Sequence, residues 1–185
     1  MIISFLNGTG NYSADFRTPD GHEELFCVLG ASGTGGQGLP AFRHDAASIV
    51  VHEFCHSYCN PLVDRHLREL QPSGEALFQR VSEKMRSQAY RGGATLVKES
   101  LVRACVVRYR RQYEGEQVAR AVIQFEKQNG FLWMSELADL LQDYEAHREQ
   151  YPALEDFSPR LSAFFADAAK NVSKMQTGLT TRNAN

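Results

Sequence analysis

The chain has no apolar run approaching the roughly 20 residues that a membrane-spanning helix requires, no polybasic block, no C-x-x-C pair and no internal repeat. Each absence excludes something. Without the long run, no transmembrane helix is predicted. The 20 basic and 22 acidic residues among 185 leave a net charge of -2, which offers neither nucleic acid nor an anionic membrane a cationic patch. The four cysteines, Cys27, Cys55, Cys59 and Cys105, are too sparse for a disulfide scaffold. They read as buried free thiols, and two disulfides are the other reading. The opening MIISFLNGTGNYS lacks a basic region and a small-residue cleavage site, so it does not read as a signal peptide. A cytoplasmic location is expected if the chain is complete, and export remains open if it is a piece of a longer protein.

What is present is one stretch, Ser48 to Pro61, reading SIVVHEFCHSYCNP. His52, Glu53 and His56 spell H-E-x-x-H. On a helix the two histidines stand at i and i+4, one turn apart on one face, where both can ligate a single ion. Glu53 points off that line and can take a proton from a water at the metal. Ala46, Ala47, Ile49, Val50 and Val51 make the preceding turns apolar, which predicts a mostly buried helix. Such a helix has little reason to carry two histidines and a glutamate unless they are used. The bland alternative is a satisfied histidine pair in the core with Glu53 in a salt bridge. Asp45 reads as the N-cap, and Asn60-Pro61 is expected to stop the helix.

Residues 1–44 read as strands and loops. Ile2 to Leu6, Tyr12 to Phe16 and Glu24 to Leu29 are predicted strands, separated by Asn7 to Asn11 and by Pro19-Asp20-Gly21. The glycine-rich Gly30 to Pro40 reads as a flexible loop, either a flap over a site or a plain surface loop; it lacks the spacing of a phosphate cradle. From Asp45 the chain turns helical. Helices are predicted over 45–59, Leu62 to Leu70, Ser73 to about Tyr90, Ala94 to about Tyr113, Glu116 to Lys127, Ser135 to Tyr151, and from Pro159 to about Met175. The fold class is therefore α+β, a single domain over 1–185: a β and loop subregion (1–44), a helical body (45–176) and a frayed tail (177–185). Phe131, Leu132, Trp133 and Met134 read as core, with a docking surface as the alternative.

A catalytic zinc takes three protein ligands and an open position. One lineage of H-E-x-x-H enzymes sets a third histidine six residues after the second, and here that position is Leu62. Asp64 and His66 require an immediate chain reversal after Pro61. The other solution is a glutamate on a downstream helix, and Glu99 is the best candidate: Val97, Leu101, Val102, Cys105 and Val106 surround it in an apolar helix. Arg103, at i+4, could instead hold it in an ordinary helical ion pair. Glu75, Glu83 and Glu145 lie in helices with polar faces.

HEFCHSYCNPLVD, KESLVRACVVRY and GFLWMSELADLLQDYEAHREQYPALEDFSP together resemble a bacterial family known as a domain of unknown function, over most of residues 1–165. Its members carry H-E-F-x-H-x-(F/Y)-x-N-P-L, an E-x-L-V-R-A helix and a closing Y-x-x-x-R-x-x-Y-P-x-L-x-x-F-x-P segment. That family in turn resembles gluzincin-type zinc metallopeptidases. The resemblance implies a zincin-like fold, one Zn2+ per chain on His52, His56 and Glu99, and Glu53 as general base; it implies no particular substrate.

The expected chemistry is hydrolysis of a peptide bond in a peptide or protein substrate by a metal-activated water, with Glu53 moving the proton. Tyr109, Tyr113, Tyr144, His66 and Arg103 are chemically able to steady the developing oxyanion, and the sequence does not rank them. An edge of the N-terminal β-element could pair with an extended peptide. Two other classes compete: a catalytically idle metal-binding or peptide-binding module on the same fold, and a helical interaction domain in which the motif is accidental. Metal content separates the last from the rest.

Overall fold

The computed structural model describes residues 1–42 and 46–182, with side chains through Val172. It is mainly helical, with a small strand region at the N-terminus. The strands are β1 (Ile2–Ser4), β2 (Tyr12–Arg17), β3 (Glu23–Gly30), β4 (Gly33–Thr34) and β5 (Pro40–Ala41). The helices are α1 (Ala46–Arg65), α2 (Leu67–Ser87), α3 (Gly93–Glu114), α4 (Glu116–Gln128), α5 (Met134–Ala146) and α6 (Ser158–Arg182). The chain divides into two compact units, Met1–Cys59 and Asn60–Asn185, and the division falls within α1.

In the first unit β3 is central. β2 pairs with it antiparallel from Tyr12 opposite Val28 to Arg17 opposite Glu23, and β1 pairs with it parallel through Ile2–Val28. Thr18 to His22 closes the hairpin, with Gly21 at φ 88° where a side chain would be strained. The turn at Asn7 to Asn11 does not fold β2 back onto β1; both strands join β3 instead. Within the stretch read as a flexible loop, β4 and β5 pair antiparallel, Gly33 opposite Ala41. The N-cap expected at Asp45 lies outside the described residues.

α1 differs from expectation in length and burial. It runs through Asn60-Pro61 to Arg65. Pro61 is exposed, so water can take up the Ser57 carbonyl that proline leaves without a donor. The next residues, Leu62 and Val63, are buried, which rewards continuing the helix. Ile49, Val50 and Val51 are only half-buried, not buried. Pro72 is likewise exposed inside α2, so the two helices expected over 62–90 become one from Leu67 to Ser87. α5 ends at Ala146, short of the expected Tyr151, and starts without a side-chain cap from Ser135. α6 continues past Met175 to Arg182.

In the second unit α3 is the axis: α2, α4 and α5 pack against it, and α6 lies on α2. Leu96, Val97, Leu101, Val102, Ala104 and Val107 bury its length. Phe131, Leu132, Trp133 and Met134 are core, and Trp133 Nε1 donates to Ser100 Oγ at 3.1 Å. All four cysteines are free thiols, Cys27 and Cys59 buried. No described helix is long and apolar enough to cross a membrane.

The α2–α3 crossing depends on two facing glycines. A Cβ on Gly93 would overlap the backbone of Gly74 and Glu75, and one on Gly74 would overlap the Gly93 carbonyl. Overpacking of this kind costs about 1–3 kcal/mol. Gly93→Ala is expected to lower stability by that amount in urea unfolding, while Gly36→Ala, with nothing within 4 Å of the added carbon, should stay close to the parent. Equal midpoints for the two variants would show that the helices are not held at this crossing.

Candidate functional site

One turn of α1 separates His52 and His56. Their Nε2 atoms lie 3.2 Å apart, with the ring planes at 78°. Two nitrogens sharing a tetrahedral zinc at about 2.0–2.1 Å stand about 3.3 Å apart, so the pair has the spacing of two ligands on one ion. Glu53, between them in sequence, is buried. It lies near the buried Cys27 of β3: burial pushes that thiol up, and the Glu53 charge pushes it further.

Glu99 is buried on α3. His52, His56 and Glu99 are side chains of the types that could hold a metal ion. Among the described residues no other group of three or more His, Cys, Asp or Glu side chains is placed to hold a metal ion. The donor set suits a cation of zinc's character, two imidazoles and a carboxylate. The sequence alternatives are engaged elsewhere: Asp64 pairs with Lys98 at 2.6 Å, and His66 Nε2 lies 2.5 Å from Glu155 Oε1. Glu75 accepts from the Gly93 amide at 3.0 Å, and Glu145 holds Arg108 at 2.6 Å. Glu83 is exposed.

The helical ion pair weighed against ligation is also present, and it is part of something larger. Arg103 Nε lies 3.4 Å from Glu99 Oε2, and Tyr90 Oη donates to the same oxygen at 3.0 Å. Arg103 also donates through Nη1 to Glu126 Oε2 at 2.6 Å and through Nη2 to Tyr90 Oη at 2.8 Å. Its guanidinium stacks 4.6 Å from the Phe131 ring centroid. Burial alone would lower the Arg103 pKa, yet the charges on Glu126, Tyr90 and Glu99 hold it above its ordinary value. Burial raises Glu126, opposed by Arg103 and reinforced by Glu99. Burial also raises Tyr90, with Arg103 opposing.

Sequence reasoning missed Tyr90 and Glu126. A signal for Glu126 existed: it follows Ala119 and Ile123 on the buried stripe of α4, where an apolar residue is the rule. Tyr90, just after α2, gives no periodic signal. Of the residues considered as oxyanion partners, Arg103 is committed to this network and His66 to Glu155. Tyr109, Tyr113 and Tyr144 instead line a separate cavity of about 440 Å³ with Cys105, Arg108 and Leu141. There Tyr109 and Tyr113 stand 4.8 Å apart, and Arg148 covers the Tyr144 ring at 4.7 Å.

Residues 1–164 match the domain of unknown function DUF4932. The chain belongs to the DUF4932 family. The DUF4932 match takes in His52, Glu53, His56, Tyr90, Glu99, Arg103 and Glu126. No curated protein and no solved structure matches the chain.

The ion pair that occupies His66 has a pH signature of its own. Side-chain hydrogen bonds from Arg65 and then His66 hold the Glu155 carboxyl below its usual range. A carboxyl held low adds stability above its unfolded-state pKa, and that stability is lost as pH falls through the folded value. Glu155→Gln is expected to lower stability at neutral pH by less than about 1 kcal/mol, since the pair is largely solvated. The gap from the parent should narrow as pH falls below the ordinary carboxylate value of about 4.3 and close only once pH is below the lowered folded value, where the carboxyl is protonated in both states. Urea midpoints measured from neutral pH downward check this; a gap that persists at the acid end would remove the ion pair as its cause.

Proposed function

We propose that this DUF4932 domain is a zinc-dependent hydrolase of peptide bonds, acting on a peptide or protein substrate. His52, His56 and Glu99 hold the ion and Glu53 is the general base. The observation that carries the reading lies on α1, where the His52 and His56 Nε2 atoms stand 3.2 Å apart and the buried Glu53 follows His52 directly. The buried carboxylates among the described residues are Glu53, Glu99 and Glu126, and the first two are the ones this chemistry requires. The arrangement, with the third ligand a glutamate borne on a downstream helix, is the one found in gluzincin-type peptidases.

A bound zinc ion supplies a Lewis acid that polarises the scissile carbonyl and makes water acidic near neutral pH. Glu53 takes the proton as water attacks the carbonyl carbon and returns it to the leaving amine nitrogen when the C–N bond breaks. Being buried, Glu53 works where water competes little for that proton. Glu99, held by Tyr90 and Arg103, keeps its carboxylate oriented. The three-stranded sheet ends in β1 and β2 as edges, whose main-chain groups suit addition of an extended peptide.

Elemental analysis of the purified chain is expected to find about one zinc per molecule, lost in His52→Ala, His56→Ala and Glu99→Ala. Glu53→Gln should keep the zinc and lose hydrolysis of an unstructured protein substrate by about 10²–10⁴-fold. No metal after reconstitution would sink the reading outright. Zinc retained by Glu99→Ala would move the third ligand, and unaltered turnover in Glu53→Gln would remove the general-base role.

A further inference from the structure

If the cation sits where Glu99 can reach it, the side chains on Glu99 acquire a purpose beyond packing. Glu99, Tyr90, Arg103 and Glu126 all lie within the second unit, and their contacts form one chain. Glu126 Oε2 accepts from Arg103 Nη1 at 2.6 Å, Arg103 Nη2 donates to Tyr90 Oη at 2.8 Å, and Tyr90 Oη donates onward to Glu99 Oε2 at 3.0 Å. Arg103 Nε also faces the same Glu99 oxygen at 3.4 Å, as an ion pair without a hydrogen bond. Both carboxylates and the guanidinium have side-chain exposures of only 10–14 %.

We propose that Tyr90, Arg103 and Glu126 are a clamp that positions the Glu99 carboxylate for the cation, with Glu126 the outermost member. The inference rests on the metal reading and deepens it. Two physical needs argue for the arrangement. A glutamate has freely turning side-chain torsions, and fixing one oxygen through two partners leaves the carboxylate plane set before an ion arrives. An arginine beside a metal ligand also has a cost, because its positive charge competes with the cation for the same carboxylate. Glu126 offsets that cost: its contact with Nη1, the shortest in the chain, answers the Arg103 charge from the far side. Tyr90 adds a donor that carries no charge at all. The clamp thus orients Glu99 while leaving its negative charge available to an ion. None of the three touches substrate; they are positioning residues.

The test is zinc affinity, measured by competition with a chromophoric chelator, on the full chain and on Tyr90→Phe and Glu126→Gln. Urea unfolding of each metal-free protein runs beside it. Tyr90→Phe removes one hydroxyl and keeps the ring, so it should fold. It is expected to bind zinc about 10–100-fold more weakly, and Glu126→Gln likewise, the range seen when partners of metal ligands are removed. Should Glu126→Gln fold poorly, Arg103→Met/Glu126→Leu replaces the pair by apolar side chains and is expected to show the same weakening. A purely structural network predicts the opposite split: altered urea midpoints with zinc affinity within twofold of the parent, which would overturn the clamp alone. A parent chain that binds no zinc overturns both the clamp and the metal reading.

Discussion

A carboxylate placed mid-helix on the axis of a bundle is the constraint that the second unit is built around. α3 is packed by α2, α4 and α5, and Glu99 is buried on it. Taking an ionised carboxylate out of water costs several kcal/mol unless charge and hydrogen bonds replace the solvent. The surrounding elements each supply part of that replacement. The chain just after α2 brings Tyr90, α3 itself brings Arg103 one turn on, and α4 brings Glu126 to keep Arg103 in turn compensated. Helix placement here answers an electrostatic demand as well as an apolar one. The Gly74–Gly93 crossing serves both, because close approach of α2 to α3 sets where the chain after α2 can deliver Tyr90.

α1 carries the H-E-x-x-H side chains and obeys a looser packing logic. Its first turns are apolar yet half-buried, and its tightly buried positions begin at Glu53 and resume at Cys59, Leu62 and Val63. A helix that buried every apolar residue evenly would seal its histidines away from solvent. Leaving Ile49 to Val51 and both histidines half-buried keeps the Nε2 pair accessible to an ion and to water. Continuation through Pro61 belongs to the same balance: proline is cheap on an exposed face, and Leu62 and Val63 anchor the helix beyond it.

The sequence made the strands, the helical body and the H-E-x-x-H stretch legible because each rests on local signals: periodicity, turn residues and i, i+4 spacing. It also pointed to Glu99, since a charged residue amid Val97, Leu101 and Val102 is conspicuous. What it obscured follows from tertiary balance. Pro61 and Pro72 are strong local stop signals, overridden where the ring faces water and the next apolar residues gain burial. β2 was free by local rules to turn back on β1, and only the sheet order puts β3 between them. Tyr90 was invisible because a residue after a helix end has no period to violate. Glu126 was visible in principle, as the polar member of the Ala119–Ile123 stripe.

The chemistry of Arg103 explains why one side chain sufficed to join three elements. Its planar guanidinium presents donors in several fixed directions: here two reach Glu126 and Tyr90, Nε faces Glu99 as an ion pair, and the face of the group lies on Phe131. A lysine ammonium is a compact charge that would serve one carboxylate well and the aromatic face poorly, and its desolvation at this depth would favour loss of the proton. Arginine keeps its charge when buried, so one side chain can face two carboxylates within one helical packing. The Glu99–Arg103 spacing that reads as an ordinary helical ion pair is thus the local trace of a buried arrangement of two helices and the segment between α2 and α3. What separates the two cases is Glu126, contributed by a helix that neither residue belongs to.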